Sequence, residues 1–134
     1  MNIKAVIIAA CFAVTTPAAA QSPSEAITPN FKHAIPNIPG KSLAALVVDY
    51  APGGASRSHT HAKSAFIYAY VVSGAIESQV NDGPKRIYRA GECWYETPGA
   101  HHAVSRNASA TEPAKLLAAF VVDIDDKVLT IPDK

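Results

Sequence analysis

Gly53-Gly54-Ala55-Ser56-Arg57-Ser58-His59-Thr60-His61-Ala62-Lys63-Ser64-Ala65-Phe66-Ile67-Tyr68-Ala69-Tyr70-Val71-Val72-Ser73-Gly74 opens on a turn-forming glycine pair, passes through two histidines and ends in the chain's strongest strand signal. Residues at i and i+2 of a strand point to the same face. His59 and His61 can therefore converge on one ion, each about 2.0–2.2 Å from it. Phe66 to Val72 is a β-branched and aromatic run that stops at Ser73-Gly74. A histidine pair alone is common on surfaces and in cores, so its meaning depends on what surrounds it.

Working outward, the same punctuation recurs. Leu43 to Tyr50 is a β-prone run closed by Pro52-Gly53-Gly54. Ala75 to Val80 pairs with Arg86 to Arg89 across Asn81-Asp82-Gly83-Pro84, a hairpin signal. Gly91 to Thr97 alternates and ends at Pro98-Gly99, and Leu116 to Val122 reads as a final buried strand. Residues 21–40 carry Pro23, Pro29, Pro36 and Pro39 and read as an extended arm able to pair at a sheet edge. No segment sustains a 3.6-residue period with caps. Short strands at this spacing predict an all-β sandwich or small barrel.

The spacing of the histidine segment resembles the first signature of the cupin superfamily: Gly53, five residues, His59, Thr60, His61, and then Gly74. The second signature is similar to Gly91-Glu92-Cys93-Trp94-Tyr95-Glu96-Thr97-Pro98-Gly99-Ala100-His101-His102, in which Gly91, Gly99 and His102 fall in register. Sixteen residues (75–90) separate the two, and the likeness spans about residues 43–122. The resemblance implies a jelly-roll barrel, the cupin double-stranded β-helix. It also implies a divalent metal ion (Fe, Mn, Ni or Zn) held by His59, His61 and His102. His101 aligns with a non-ligand position, and His33 lies outside both motifs.

Three departures follow from that alignment. The glutamate of the first signature is missing: Ala65 and Phe66 stand after His61 with three and four residues between, where it is expected, and counting back from Gly74 gives Ile67. Thr97 replaces proline, and Arg106 replaces an asparagine that arrives one residue late as Asn107. Either three histidines plus water form the site, or a carboxylate arrives from elsewhere. Glu96 is the first candidate, because alternation puts Glu92, Trp94 and Glu96 on one face and Cys93 and Tyr95 on the other. A buried Glu96 needs an ion, a cation or a proton to compensate it. Its pKa should then be depressed with metal bound and raised without it, whereas Glu92 should be solvated. Tyr68, Tyr70, Trp94 and Tyr95 offer an aromatic lining, with Tyr70 as second candidate for moving a proton. Cys93 reads as a small buried hydrophobe.

Composition limits the remaining choices. The chain has 134 residues, 49% of them hydrophobic and 17% charged, with a formal net charge of +1. That suits one compact domain, assigned to 41–134, and gives no basic run for a nucleic-acid partner. No apolar run reaches the roughly 20 residues of a membrane span. Lys4, the apolar stretch Ala5 to Val14 and Ala18-Ala19-Ala20 form a cleavable export signal at 1–20, so a periplasmic or secreted location is expected. The rival reading is lipidation at Cys11. Cleavage leaves 114 residues with eleven charges of each sign and Cys93 as the single cysteine. No intramolecular disulfide is then available, so stability must come from packing, metal or self-association.

Fold does not fix reaction. The expected activity is that of a metal-dependent oxygenase or lyase/isomerase acting on a small organic substrate, with Glu96 or Tyr70 moving the proton. A non-catalytic small-ligand- or metal-binding protein and a purely structural barrel are the alternatives. The resemblance also implies edge-strand pairing into a homodimer, for which the arm at 21–40 is the available segment.

Overall fold

The computed structural model describes residues 24–134, so the expected export signal and the alternative lipid site at Cys11 lie outside the described residues. Ten strands follow in order: β1 (Glu25–Ala34), β2 (Lys41–Tyr50), β3 (His59–His61), β4 (Phe66–Ser73), β5 (Ala75–Val80), β6 (Arg86–Arg89), β7 (Cys93–Glu96), β8 (His101–Asn107), β9 (Ala114–Asp123) and β10 (Thr130–Pro132). One five-stranded sheet runs β1-β2-β9-β4-β7 and the other β10-β3-β8-β5-β6, with every pairing antiparallel. No helix among the described residues is long and apolar enough to cross a membrane. This is the all-β double-stranded β-helix, two sheets folded on a common interior.

Alternation builds that interior. Along β4, Ile67, Ala69 and Val71 are buried while Phe66 and Tyr68 are exposed. Along β9, Ala114, Leu116, Ala118, Phe120 and Val122 face inward. Ala69 and Ala118 are direct cross-strand partners, and two such short side chains leave space between the sheets. Around it, the inner residues form two apolar clusters, one about Val71, Ile76 and Trp94, the other about Ile67, Phe120 and Val122. The hairpin of β5 and β6 forms as expected. Gly74 turns β4 into β5 with φ at +72°, and a Cβ there would meet the Pro113 carbonyl at 2.7 Å, so only glycine fits.

Sequence reasoning missed β8 and β10. β8 starts one residue beyond Pro98-Gly99, after Ala100, and its inward residues His102, Ser105 and Asn107 are polar, so it carries no apolar alternation to read. The described part of the expected arm forms β1, which lies along the edge of its own sheet on β2. Cys93 corrects an expectation: it is exposed, because its position on β7 has the outward parity.

A bulge in β8 explains the late asparagine. Val80 pairs with His102 and Gln79 with Val104, so Ala103 is the extra residue on β8. One inserted residue would turn Asn107 outward, and the bulge returns it to the interior. There it is 5% exposed, donating to the Ala51 and Glu112 carbonyls at 3.0 and 2.7 Å. Arg106 points to solvent and pairs with Glu77.

Candidate metal centre

β3 and β8 are adjacent, and His59 is the direct cross-strand partner of His102. His61 follows His59 on the same face, as alternation requires. One nitrogen from each of the three rings falls within 4.8 Å of the others. His61 and His102 are each 4% exposed, with His59 half-buried. Second contacts orient the rings: His59 Nδ1 lies 2.6 Å from the Arg57 carbonyl, and His102 Nε2 lies 2.9 Å from Ser78 Oγ. Outer hydrogen bonds of this kind fix a ligating ring before an ion arrives.

Glu96 enters from the opposite sheet. It is 2% exposed, on the inward parity of β7. Oε1 accepts from the Trp94 indole N–H at 3.1 Å and lies 3.3 Å from His102 Nδ1, while Oε2 lies 3.0 Å from His61 Nε2. Despite that approach, His61 Nε2 and Glu96 Oε2 lack the alignment of a hydrogen bond and are buried without a partner. Buried polar atoms are rarely left so. Two orphaned donor atoms aimed at one point, beside two further imidazoles, fit a divalent cation. The position of Glu96 explains the missing glutamate as well. Ile67, which stands where counting back from Gly74 calls for an acid, is the direct cross-strand partner of Glu96. The carboxylate has moved one strand sideways within the same sheet.

Electrostatics follow from burial. Desolvation pushes the His102 imidazole down to about 4, against the pull of Glu96, and His59 and His61 add to the depression. Desolvation likewise lowers His59. For Glu96, desolvation alone would raise the pKa, but the His61, His102 and Trp94 partners outweigh it and leave the carboxyl below its ordinary range. The expectation that Glu96 would be raised without an ion is thereby corrected: the surrounding rings already favour the carboxylate.

Beside the histidines lies a cavity of about 190 Å³, walled mainly by apolar side chains from both clusters, including Val48, Leu116 and Phe120. Glu25, Arg57, Thr130 and Pro132 also line it. Tyr50, 2% exposed, contributes a hydroxyl that sequence reasoning overlooked. It lies 2.7 Å from Ser56 Oγ and 2.8 Å from Ser105 Oγ, and Ser56 in turn donates to the Glu25 carboxylate. Each hydroxyl has one proton, so the donors all run one way, Ser105 to Tyr50 to Ser56 to Glu25. Burial raises the Tyr50 pKa. Parity was the available signal, since Tyr50 sits two residues past inward Val48.

Other sequence candidates do not reach the centre. Tyr70 is paired with Cys93 and Leu117 on the outer face of β4, away from the cavity, which removes it as a proton donor. Tyr68 and Tyr95 are outward too, 43% and 65% exposed, so Trp94 alone of the expected aromatic lining faces inward. His101 points to the rim, its Nε2 2.8 Å from Asp133 Oδ2, and helps to hold the segment after β10. His33 is exposed on β1, and Glu92 is exposed, as expected.

A family model for the cupin domain matches residues 46–120. No curated protein sequence matches the chain significantly. Among solved structures, TT1209 from Thermus thermophilus is similar over 74% of this chain and 84% of that one, with 23% identity and a TM-score of 0.60. A protein with a double-stranded β-helix domain from Klebsiella pneumoniae subsp. pneumoniae is similar over 83% and 85%, with 17% identity and a TM-score of 0.64. An oxalate oxidase in complex with the substrate analogue glycolate is similar over 74% of this chain and 51% of its own, with 23% identity and a TM-score of 0.58. At these identities the structural likenesses speak for the fold. The family match covers more than half the chain and both histidine segments, and the barrel agrees with it: the chain belongs to the cupin superfamily.

Proposed function

We propose that the chain is an exported metal-dependent enzyme that binds a small organic substrate beside a divalent ion held by His59, His61, His102 and Glu96. The observation that carries this reading is the orphaned pair, His61 Nε2 and Glu96 Oε2, facing each other among the imidazoles at a cavity of about 190 Å³. When bound, the ion would supply Lewis-acid or redox chemistry toward a substrate oxygen. The chain's own groups do the rest. The apolar walls exclude water, Glu96 holds the negative charge that balances the cation, and the Tyr50 hydroxyl with its serines is placed to orient a substrate in the cavity. The similar oxalate oxidase binds glycolate, which makes small oxygen-bearing acids the first substrates to try. Reaction of oxygenase or lyase/isomerase type is the proposal. The missing glutamate was the main argument for a merely binding protein, and a carboxylate delivered from the neighbouring strand weakens it.

Metal analysis of protein purified from the exported fraction tests the centre. About one divalent ion per chain is expected. His59→Ala, His61→Ala and His102→Ala should each lose it, and His101→Ala should retain it. Turnover of hydroxy, keto and dicarboxylic acids that disappears on chelation and returns with the native ion would support catalysis. A metal-free exported protein, or a loaded one inert to all three acid classes, would defeat the enzyme reading.

A further inference from the structure

One corner of the cavity is lined by three hydroxyls and a carboxylate whose protons are all engaged with one another. Glu25 of β1 is the direct cross-strand partner of Tyr50 of β2, so the two side chains stand on one face. Ser105 of β8 meets them from the other sheet. A backbone bond from the Ser56 N–H to the Ser105 carbonyl, 2.9 Å long, ties the connection between β2 and β3 to the same place. Tyr50 and Ser105 are buried, and all four residues line the cavity. Strand register and a backbone anchor therefore fix this corner before any ligand enters.

Counting hydrogens decides what the corner can hold. The Glu25 carboxylate only accepts, so Ser56 gives its proton there. Tyr50 must then donate to Ser56 across 2.7 Å, and Ser105 must donate to Tyr50 across 2.8 Å. Burial raises the Tyr50 pKa, so the phenol keeps its proton and the order persists. No hydroxyl proton is left for a ligand, whereas every hydroxyl oxygen keeps at least one lone pair. The corner accepts and cannot give. A ketone, an ether or a second carboxylate set against it would lose its water and meet lone pairs only. A hydroxyl or an amino group would replace its water by a bond to the Tyr50 oxygen. The donors of Arg57 and Thr130 also border the cavity, but from exposed positions outside this chain of bonds.

Resting on the reading that a small molecule occupies this cavity, we propose that the Glu25–Ser56–Tyr50–Ser105 chain selects its class. The ligand carries a hydrogen-bond donor, hydroxyl or amino, where it meets Tyr50, and molecules offering only an acceptor there are rejected. Tyr50 touches the ligand, and Glu25 is a positioning residue that sets the direction of the donors. Calorimetry on the full chain tests this with 4-hydroxy-, 4-amino- and 4-oxopentanoate and the corresponding 5-substituted hexanoates, which share skeletons and differ in the donor. At least one donor-bearing acid should bind about tenfold or more tighter than its oxo counterpart, and the tighter of the two names the donor. Glu25→Gln keeps the volume but lets the amide donate to Ser56, which reverses the chain and frees the Tyr50 proton for the cavity. The preference should then shrink severalfold as the oxo acids gain, whereas a preference set by shape alone would survive. Tyr50→Phe repeats the test should Glu25→Gln unfold, and should likewise bring the affinities together. Equal affinities in the wild type, binding of none of the acids at millimolar concentration, or a preference unmoved in the folded variants would overturn the proposal. The ratio can be read with the ion present or removed by chelation, so it is scored apart from the metal centre. A chain that shows the ratio but turns nothing over keeps the donor-selective corner and loses the enzyme, and turnover without the ratio does the reverse.

Discussion

The two oxygens of Glu96 are held differently: Oε1 accepts from Trp94, while Oε2 has no hydrogen bond. Glu96→Gln preserves shape and the Trp94 contact but removes the charge, so metal affinity should fall at least about tenfold, measured by competition with a chelating dye. The same change at exposed Glu92 should leave affinity unaltered. Equal affinity in both variants would reduce the centre to three histidines and water. A second consequence concerns acid. The His102 imidazole titrates near 6.5 in an unfolded chain and at about 4 in the folded one. Between those values the unfolded state takes a proton that the folded state refuses, so stability is full above the window and falls as pH drops through it. The loss from this group approaches roughly 3 kcal/mol and then levels off below pH ~4. Urea unfolding of the metal-free protein at neutral pH and near pH 4 should show that drop, and His102→Gln should remove much of it. A midpoint that stays put across the window would mean that His102 is not buried neutral.

At the scale of elements, the β4–β7 register decides where the acid sits. Because Ile67 and Glu96 are direct partners on the inward face, exchanging them as Ile67→Glu with Glu96→Ile keeps volume and charge and moves the carboxylate across one strand spacing, about 4.8 Å. The exchanged protein should hold metal within about tenfold of the wild type, whereas Glu96→Ile alone should bind far more weakly. An exchanged protein as poor as the single variant would show that the β7 position is specifically required. This pairing also marks the limit of what the sequence makes legible. His59, His61, His102 and Glu96 are readable because motif spacing and period-2 parity are local properties. That Glu96 faces Ile67 depends on which strands become neighbours, and no local pattern states it. Tyr70 misled for the same reason: its residue type suits proton transfer, but parity counted from inward Ile67 places it outside. β8 was hidden because its inward side chains serve the centre and the loop anchors rather than an apolar core. Strand signals therefore fade where function takes over the interior.

For the whole molecule, the described cysteine is free and exposed, so no described covalent cross-link joins the sheets, and two apolar clusters carry the fold. The β1-β2-β9-β4-β7 sheet ends on β1, a ten-residue strand whose pairing with β2 breaks step between Pro29 and Phe31. Proline lacks a backbone donor, the break kinks the strand, and Lys32 adds a charge, three devices that discourage strand addition. Pro29→Val with Lys32→Val should therefore raise light scattering on mild heating while far-UV circular dichroism of the cold protein stays the same. An unchanged scattering profile would deny β1 this protective part. The kink at Asn30 thus bears on how assembly ends. Contact through a face is satisfied once two copies meet, whereas contact through a strand edge leaves a fresh edge on each newcomer and can grow without limit. With that edge blunted by Pro29, the register break and Lys32, open-ended growth by strand addition is disfavoured.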